Sequence, residues 1–194
     1  MRVNEIFYSI QGEGAHTGQA VIFIRLSGCN LKCDFCDTKH QAYKELTEDE
    51  ICAKIAIYGA NTVIITGGEP TLQLTESLID KIHALGKSVC IETNGTRPVP
   101  RGVDWVTVSP KAPFVGDIGK PVITTASEVK IVLDDLHTYD EPTFGITAEH
   151  YFVQPCDTGN PERNQKIIDR CINFVKNNPK WKISLQTQKI LNVR

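Results

Sequence analysis

The sequence has no apolar run near the roughly 18 residues that cross a bilayer, so no membrane-spanning helix is expected. It has no excess charge of one sign: 21 Lys and Arg stand against 23 Asp and Glu, a net charge of −2. A field that weak gives no reason to expect direct binding to nucleic-acid phosphates. Low-complexity tracts, internal repeats and clear linkers are missing too, which argues for a single domain over residues 1–194. Hydrophobic residues make up 41% and charged residues 23%, a globular balance that excludes a disordered chain or a coiled coil. The start, Met1-Arg2-Val3-Asn4-Glu5, lacks a secretory apolar region, and a cytoplasmic protein is expected.

What the sequence has in excess is cysteine, seven in all. In a reducing compartment such thiols stay free, bind metal or do chemistry. Cys29, Cys33 and Cys36 fall together; Cys52, Cys90, Cys156 and Cys171 are scattered. Cys52, Cys90 and Cys171 lie in helix or strand patterns and read as core.

Along the chain an apolar, β-rich run recurs, followed by a polar loop and then a helical pattern. Strands are expected at Ala20–Leu26, 62–66, 88–92, Trp105–Val108, 128–133, 151–154 and finally 182–185. Thr47-Glu48-Asp49-Glu50 has the form of a capping box, residues 72–85 read as a helix closed by Gly86, and Asn160-Pro161 starts a helix to Asn177. Residues 111–125, rich in proline and glycine, read as a loop with room for a short helix. This alternation argues for βα units on a parallel sheet, and the chain is too short for a closed eight-fold barrel of about 250 residues. A partial barrel or an open doubly wound sheet remains. We expect a partial TIM-type barrel of about six parallel βα units, with function at the carboxyl ends of the strands.

Three thiolates on one short loop can converge on a soft metal centre. A structural zinc would want a fourth ligand, for which His40 is the candidate, but the spacing is not that of a standard zinc pair. Three ligands on a four-iron cluster instead leave one iron open. The pattern Cys29-x-x-x-Cys33-x-x-Cys36 after the first strong strand, with Gly67-Gly68-Glu69-Pro70 after the second, resembles the radical S-adenosylmethionine superfamily. Further segments in fixed order narrow the resemblance to the 7-carboxy-7-deazaguanine synthase family. They are Phe7–Gly14, Phe23–Leu26, Cys36-Asp37-Thr38, Ile65–Pro70, Glu92–Gly95, Ser109-Pro110-Lys111 and Gln154-Pro155. The matches run from residue 5 to residue 189.

The resemblance implies a 4Fe–4S cluster on Cys29, Cys33 and Cys36, S-adenosylmethionine at its open iron, and Mg2+ on Thr38. It implies conversion of 6-carboxy-5,6,7,8-tetrahydropterin into 7-carboxy-7-deazaguanine with loss of ammonia, toward nucleosides such as queuosine. Cofactor contacts are then expected from Phe35, Asp37, Gly67, Gly68, Glu69, Ser109, Pro110, Lys111, Gln154, Pro155, Cys156 and Asp157. The two glycines would let backbone approach the methionine amino group, and Cys156 would be a small neighbour rather than a ligand. Substrate contacts are expected from Ile10, Gln11, Gly12, Glu13, Arg25, Thr66, Gln188 and Arg194. Arg25 is a charge on an apolar strand and needs a partner, either the substrate carboxylate or an internal salt bridge. Partners would include the pterin, an electron donor such as flavodoxin or ferredoxin, and a second copy in a homodimer.

The tail departs from the family. Gln186-Thr187-Gln188-Lys189 stands where Q-T-H-K is common, and Arg194 where proline is common. Two other readings stay open from the residues alone: a glycyl-radical-enzyme activase, which shares the cysteine spacing, and a zinc-stapled interaction module.

Overall fold

The computed structural model describes residues 1–36, 38, 42–139 and 141–194. Among the described residues nine strands form one sheet: β1 (Arg2–Ile10), β2 (Ala20–Leu26), β3 (Lys44–Glu45), β4 (Thr62–Gly67), β5 (Ser88–Thr93), β6 (Trp105–Val108), β7 (Thr125–Leu133), β8 (Thr147–Pro155) and β9 (Trp181–Ile183). Their order is β3-β1-β2-β4-β5-β6-β7-β8-β9. From β2 to β9 every pairing is parallel, while β1 runs antiparallel to β2 and β3. The sheet ends in β3 and β9 rather than closing, the arrangement of a partial barrel.

Helices α1 (Glu48–Ala56), α2 (Glu76–Ala84) and α4 (Pro161–Asn177) supply long crossovers. α3 (Ala112–Val115) and α5 (Thr187–Ile190) are single turns. Among the described residues, long helices therefore serve three of the crossovers, and the expected loop after β6 holds the short helix it had room for. Pro98, Pro100 and Gly102 interrupt the β5–β6 connection, and Pro113, Gly116 and Gly119 hold α3 to one turn before a 3-10 turn. α2 also starts later than expected. Thr75 accepts from the Leu78 N–H and sets the cap there, leaving Pro70–Leu72 as a 3-10 turn.

The caps legible in sequence are formed. Thr47 and Glu50 cap one another's backbone at 2.7 and 3.2 Å, and the Asn160 side chain accepts from the Arg163 N–H at 3.0 Å. Lys87, buried, donates to the carbonyls of Tyr58 and Ala60 just beyond α1 at 2.8 and 2.7 Å. It satisfies two groups that would otherwise be orphaned.

β1 was not expected as a strand because its apolar residues do not alternate. A bulge between Val3 and Glu5 explains this. One extra residue flips the side-chain parity. Val3 thus joins the outer core under α1 and α2, while Phe7 turns to the inner face with Phe23, Ile64 and Cys90. A second outer core gathers Val153, Ile167, Cys171 and Trp181 beneath α4. Burial pushes the Cys90 and Cys171 thiols up to about 12, so both are inert packing groups. Two residues on from Phe23, Ile64 and Cys90, toward the carboxyl ends of the same strands, stand Arg25, Thr66 and Glu92.

Candidate active site

The loop after β2 carries the three cysteines. Leu31 donates its N–H to Cys29 Sγ at 3.4 Å, Cys36 donates its N–H to the Cys33 carbonyl at 3.1 Å, and the Cys36 thiol reaches the Thr38 carbonyl at 3.7 Å. Burial pushes the Cys29 and Cys33 thiols above the ordinary range; the backbone N–H of Leu31 eases the first and the Lys111 charge eases the second. The three thiols stand on one loop, and thiolates so grouped can each take a separate iron, so the donor set fits a cluster. Asp37 and His40 lie outside the described residues.

The Gly67-Gly68 pair is explained by the neighbouring loop. Gly67 has φ +126°, and a Cβ there would stand 2.0 Å from the Leu26 carbonyl oxygen. At Gly68 it would stand 2.0 Å from the Gly28 oxygen. The missing side chains let Gly68 N–H reach Leu26 O at 3.0 Å and Glu69 N–H reach Gly28 O at 2.8 Å. These glycines clamp the end of β4 onto the cysteine loop, rather than only clearing space for a ligand. Glu69 is fully buried. Its Oε1 accepts from Thr71 N–H, Thr71 Oγ1 and Thr93 Oγ1 at 3.0, 2.6 and 2.7 Å, and its Oε2 from Asn94 N–H at 2.8 Å. Asn94 in turn donates to Asn30 Oδ1 at 3.0 Å. The loops after β2, β4 and β5 are thus one braced unit.

The loop after β6 meets the same unit. Ser109 donates its N–H to the Thr93 carbonyl at 2.8 Å, followed by the buried Pro110. Lys111 Nζ donates to Ser109 O and Oγ at 2.6 and 2.5 Å, and burial pulls its pKa down to about 8. Phe35 packs on Phe114 of α3 at 4.4 Å between centroids, and Phe114 on His137 at 4.8 Å. At the end of β8, Gln154 accepts from Ser184 Oγ at 3.2 Å, while Cys156 is buried in the second core after the half-buried Pro155. Both Asp157 oxygens are held, by Gly159 N–H and Asn164 on one and Lys189 on the other, which keeps its carboxyl well below the usual range.

Inside the sheet the strands present a charged floor. Glu92 of β5 accepts from Gln11 Nε2 at 2.9 Å and from the Thr66 hydroxyl at 3.0 Å. Lys130 of β7, buried, lies 2.5 Å from Glu13 Oε2 and 3.9 Å from Glu92 Oε1. Burial alone would raise the Glu13 pKa. The Lys130 charge, with donors from Gln186 and Gln188 at 3.0 Å each, outweighs it and holds Glu13 at about 2. The same carboxylates, above all Glu13, keep Lys130 protonated well past the ordinary lysine range despite its burial. Glu128 goes the other way: burial raises its carboxyl, although Ala15 N–H donates to it at 2.8 Å.

Arg25 stands opposite Glu5 across β1 and β2. Its Nε donates to Glu5 Oε1 at 2.9 Å, and its NH1 lies 3.4 Å from Thr38 Oγ1. The internal salt bridge therefore exists, and the guanidinium also reaches toward Thr38. The tail folds over the same floor. Thr187 binds the Gly12 carbonyl through N–H and hydroxyl at 3.1 and 2.9 Å. Gly12, just past Ile10, has no room for a Cβ, which would collide with the Gln188 amide. Gln188 Oε1 is buried without a hydrogen-bond partner. Arg194 pairs with Glu5 Oε2.

The expected residues that are described thus fall into two groups, the braced loops on the rim and the floor beneath them. Glu92, Lys130, Glu128 and Glu5, which the structure brings into contact with the expected residues, were not singled out from the sequence. The signal was available: each is a charge on a strand whose other residues are largely apolar, as in Ser88–Thr93 and Thr125–Leu133.

Comparison with known proteins agrees. The pattern of the radical SAM superfamily matches residues 23–146. A 7-carboxy-7-deazaguanine synthase of Bacteroides thetaiotaomicron is 49% identical, across 100% of this chain and 98% of that one. The protein of the same name from Neisseria meningitidis serogroup B is 38% identical, across 97% and 92%. A crystal structure of QueE from Escherichia coli superposes with a TM-score of 0.73 at 29% identity, over 95% of this chain and 92% of that one. The chain belongs to the 7-carboxy-7-deazaguanine synthase family of the radical S-adenosylmethionine superfamily.

Proposed function

We infer that this chain is a lyase that converts 6-carboxy-5,6,7,8-tetrahydropterin into 7-carboxy-7-deazaguanine with loss of ammonia, a ring contraction in 7-deazapurine and queuosine biosynthesis. The observation that carries the reading is the full-length identity of 49% to a synthase of that name. Substrate equals product plus ammonia atom for atom, so the conversion consumes no net oxidant and S-adenosylmethionine is regenerated. When bound, the 4Fe–4S cluster and S-adenosylmethionine supply the one-electron chemistry.

What remains for the chain is to hold, orient and neutralise. Cys29, Cys33 and Cys36 are the cluster ligands on this reading. Phe35, the Gly67–Glu69 turn, Ser109–Lys111 and Gln154–Asp157 border the S-adenosylmethionine. The pterin lies on the floor, its aminopyrimidinone edge toward Ile10–Glu13, Thr66, Glu92 and Gln188. Carboxylates suit N–H donors of that edge, and Lys130 offsets their mutual repulsion. Arg25 takes the pterin carboxylate through the outer edge of its guanidinium. Thr38 would hold Mg2+ through its hydroxyl oxygen, a weak neutral ligand of the kind magnesium accepts beside carboxylate and water.

Residues 1–194 act as one domain, which the single sheet running from Arg2 to Ile183 supports. The radical chemistry calls for a reductant, for which a flavodoxin or ferredoxin is suited. We place the enzyme in the cytoplasm as a homodimer, acting on a small molecule rather than on nucleic acid. Among the described residues no helix is long and apolar enough to cross a membrane.

The test is an anaerobic assay of reconstituted protein with reductant, S-adenosylmethionine, Mg2+ and the carboxytetrahydropterin. The expected product is 7-carboxy-7-deazaguanine without stoichiometric loss of S-adenosylmethionine. Uncoupled cleavage of S-adenosylmethionine with no deazaguanine would refute the assignment.

A further inference from the structure

A row of three rings runs outward from the cysteine loop. Phe35, between Cys33 and Cys36, packs on Phe114 of α3 at 4.4 Å between centroids with the planes 57° apart, and Phe114 packs on His137 at 4.8 Å and 59°. The last ring is fixed from behind. Asp134 Oδ1 accepts from the N–H groups of Leu136 and His137 at 3.1 and 2.8 Å, and its Oδ2 meets His137 Nδ1 at 2.7 Å. Burial alone would raise the Asp134 carboxyl, but these donors hold it below the usual range. It is therefore an acceptor, and Nδ1 carries the hydrogen. The turn is also pinned to α4. Arg163 grips Asp135 with two bonds of 2.7 Å, and Arg170 donates to the Asp134 and His137 carbonyls at 2.5 and 3.2 Å.

Gly28 and Asn30 anchor the first half of the cysteine loop to the turns after β4 and β5. The second half, with Cys33 and Cys36, leans on Phe35, which borders the second outer core beside Phe114. Core packing does not account for His137 in the same way, because its side chain is 36% exposed. We propose that His137 is a positioning residue for S-adenosylmethionine: clamped by Asp134 and α4, it backs Phe114, which backs the Phe35 that borders the cofactor. This rests on the functional reading above and deepens it. A ring free to tip away from its ligand must be ordered again on binding, which weakens affinity, and each ring in the row removes that freedom from the next. The ring of His137, rather than its hydrogen bond, is the part that meets Phe114.

The test measures S-adenosylmethionine binding to the reconstituted protein by anaerobic calorimetry, with pterin affinity and steady-state rates alongside. His137→Asn keeps a nitrogen that can donate to Asp134 but has no ring to reach Phe114. It should weaken S-adenosylmethionine binding roughly two- to tenfold, the scale of one aromatic contact. His137→Phe restores the ring without the Asp134 bond and should stay within about twofold of wild type. In His137→Asn the KM for S-adenosylmethionine should rise, while kcat at saturating cofactor, pterin affinity and iron content hold. A collapsed site would move all of them. In a Phe114→Leu background His137→Asn should add little, since the ring it supports is gone. Phe35→Leu should weaken the cofactor at least as much as His137→Asn. Unchanged binding in His137→Asn, equal weakening by the Asn and Phe variants, or full additivity with Phe114→Leu would overturn the proposal. Wild-type affinity in Phe35→Leu would instead overturn the placement of Phe35 in the functional reading on which it rests.

Discussion

The ammonium of Lys130 sits 2.5 Å from Glu13 Oε2, at the end of a 117-residue separation in sequence. It is the counter-charge for a floor built largely of carboxylates. Replacing it by methionine leaves Glu13 buried against Glu92 with no cation. Breaking a buried pair from one side typically costs about 3–5 kcal/mol. Urea unfolding of Lys130→Met should show a loss of that order.

The acid limb of stability follows from the same pair. Glu13 titrates at about 2 in the folded protein against an ordinary 4.5. A depressed carboxyl contributes stability that is present above the unfolded value and is lost as pH falls through the folded one. Stability should therefore decline between about pH 4.5 and 2 in wild type. In Lys130→Met the part due to Glu13 should be absent, flattening that limb in unfolding measured as a function of pH.

The close contacts at the glycine turn set up a contrast. Gly68→Ala would place a methyl 2.0 Å from the Gly28 carbonyl oxygen, against backbone that cannot swing away. The turn must then move off the cysteine loop, breaking two backbone hydrogen bonds. We expect a loss of about 2–4 kcal/mol and impaired cluster retention. Gly28→Ala meets nothing within 4 Å and bears only the strain of φ +92°, about 1 kcal/mol. Iron content after gel filtration and thermal midpoints should separate the two.

The parallel strands could be read from continuous β-branched runs because buried strands need no alternation. The polar loops that follow them marked the rim for the same topological reason. β1 escaped because its bulge scrambles the period that a strand should show, and its two buried apolar residues serve opposite faces. The floor escaped because a single glutamate or lysine in an apolar strand looks like an edge residue until its neighbours are known. Glu92 gains its meaning only from Thr66 on the adjoining strand and Gln11 on a loop 81 residues away. The glycines of the turn were legible as a motif, yet their main constraint is the backbone of another loop, which no local pattern reveals.

The three loop cysteines and the core cysteines should behave oppositely. Cys29→Ala, Cys33→Ala and Cys36→Ala should each abolish cluster assembly and activity, since an iron without its thiolate is not held. Cys171→Ala should keep both and lose only packing, about 1–2 kcal/mol, because its thiol is buried beneath α4. Iron and sulfide content with the broad absorbance near about 400 nm reads the outcome. An intact, active cluster in any loop variant would contradict the ligand assignment.

The roles of Arg25 and Thr38 can be separated although their side chains are 3.4 Å apart. A charge-assisted contact to a desolvated carboxylate is worth about 1.5–3 kcal/mol, roughly ten- to a hundred-fold in binding. Arg25→Lys keeps the charge but removes both the Nε donor that Glu5 holds and the planar fork that can meet a second carboxylate. Pterin affinity should therefore fall by about tenfold or more, with S-adenosylmethionine binding and cluster content little changed. Thr38→Ala removes an uncharged oxygen instead. It should shift the Mg2+ titration of activity to higher concentration, while pterin affinity at saturating Mg2+ stays near wild type. Separate titrations of pterin and Mg2+ on each variant decide the matter. Normal pterin binding by Arg25→Lys would leave Arg25 as a strut for Glu5, and an unmoved Mg2+ titration in Thr38→Ala would remove Thr38 from the metal.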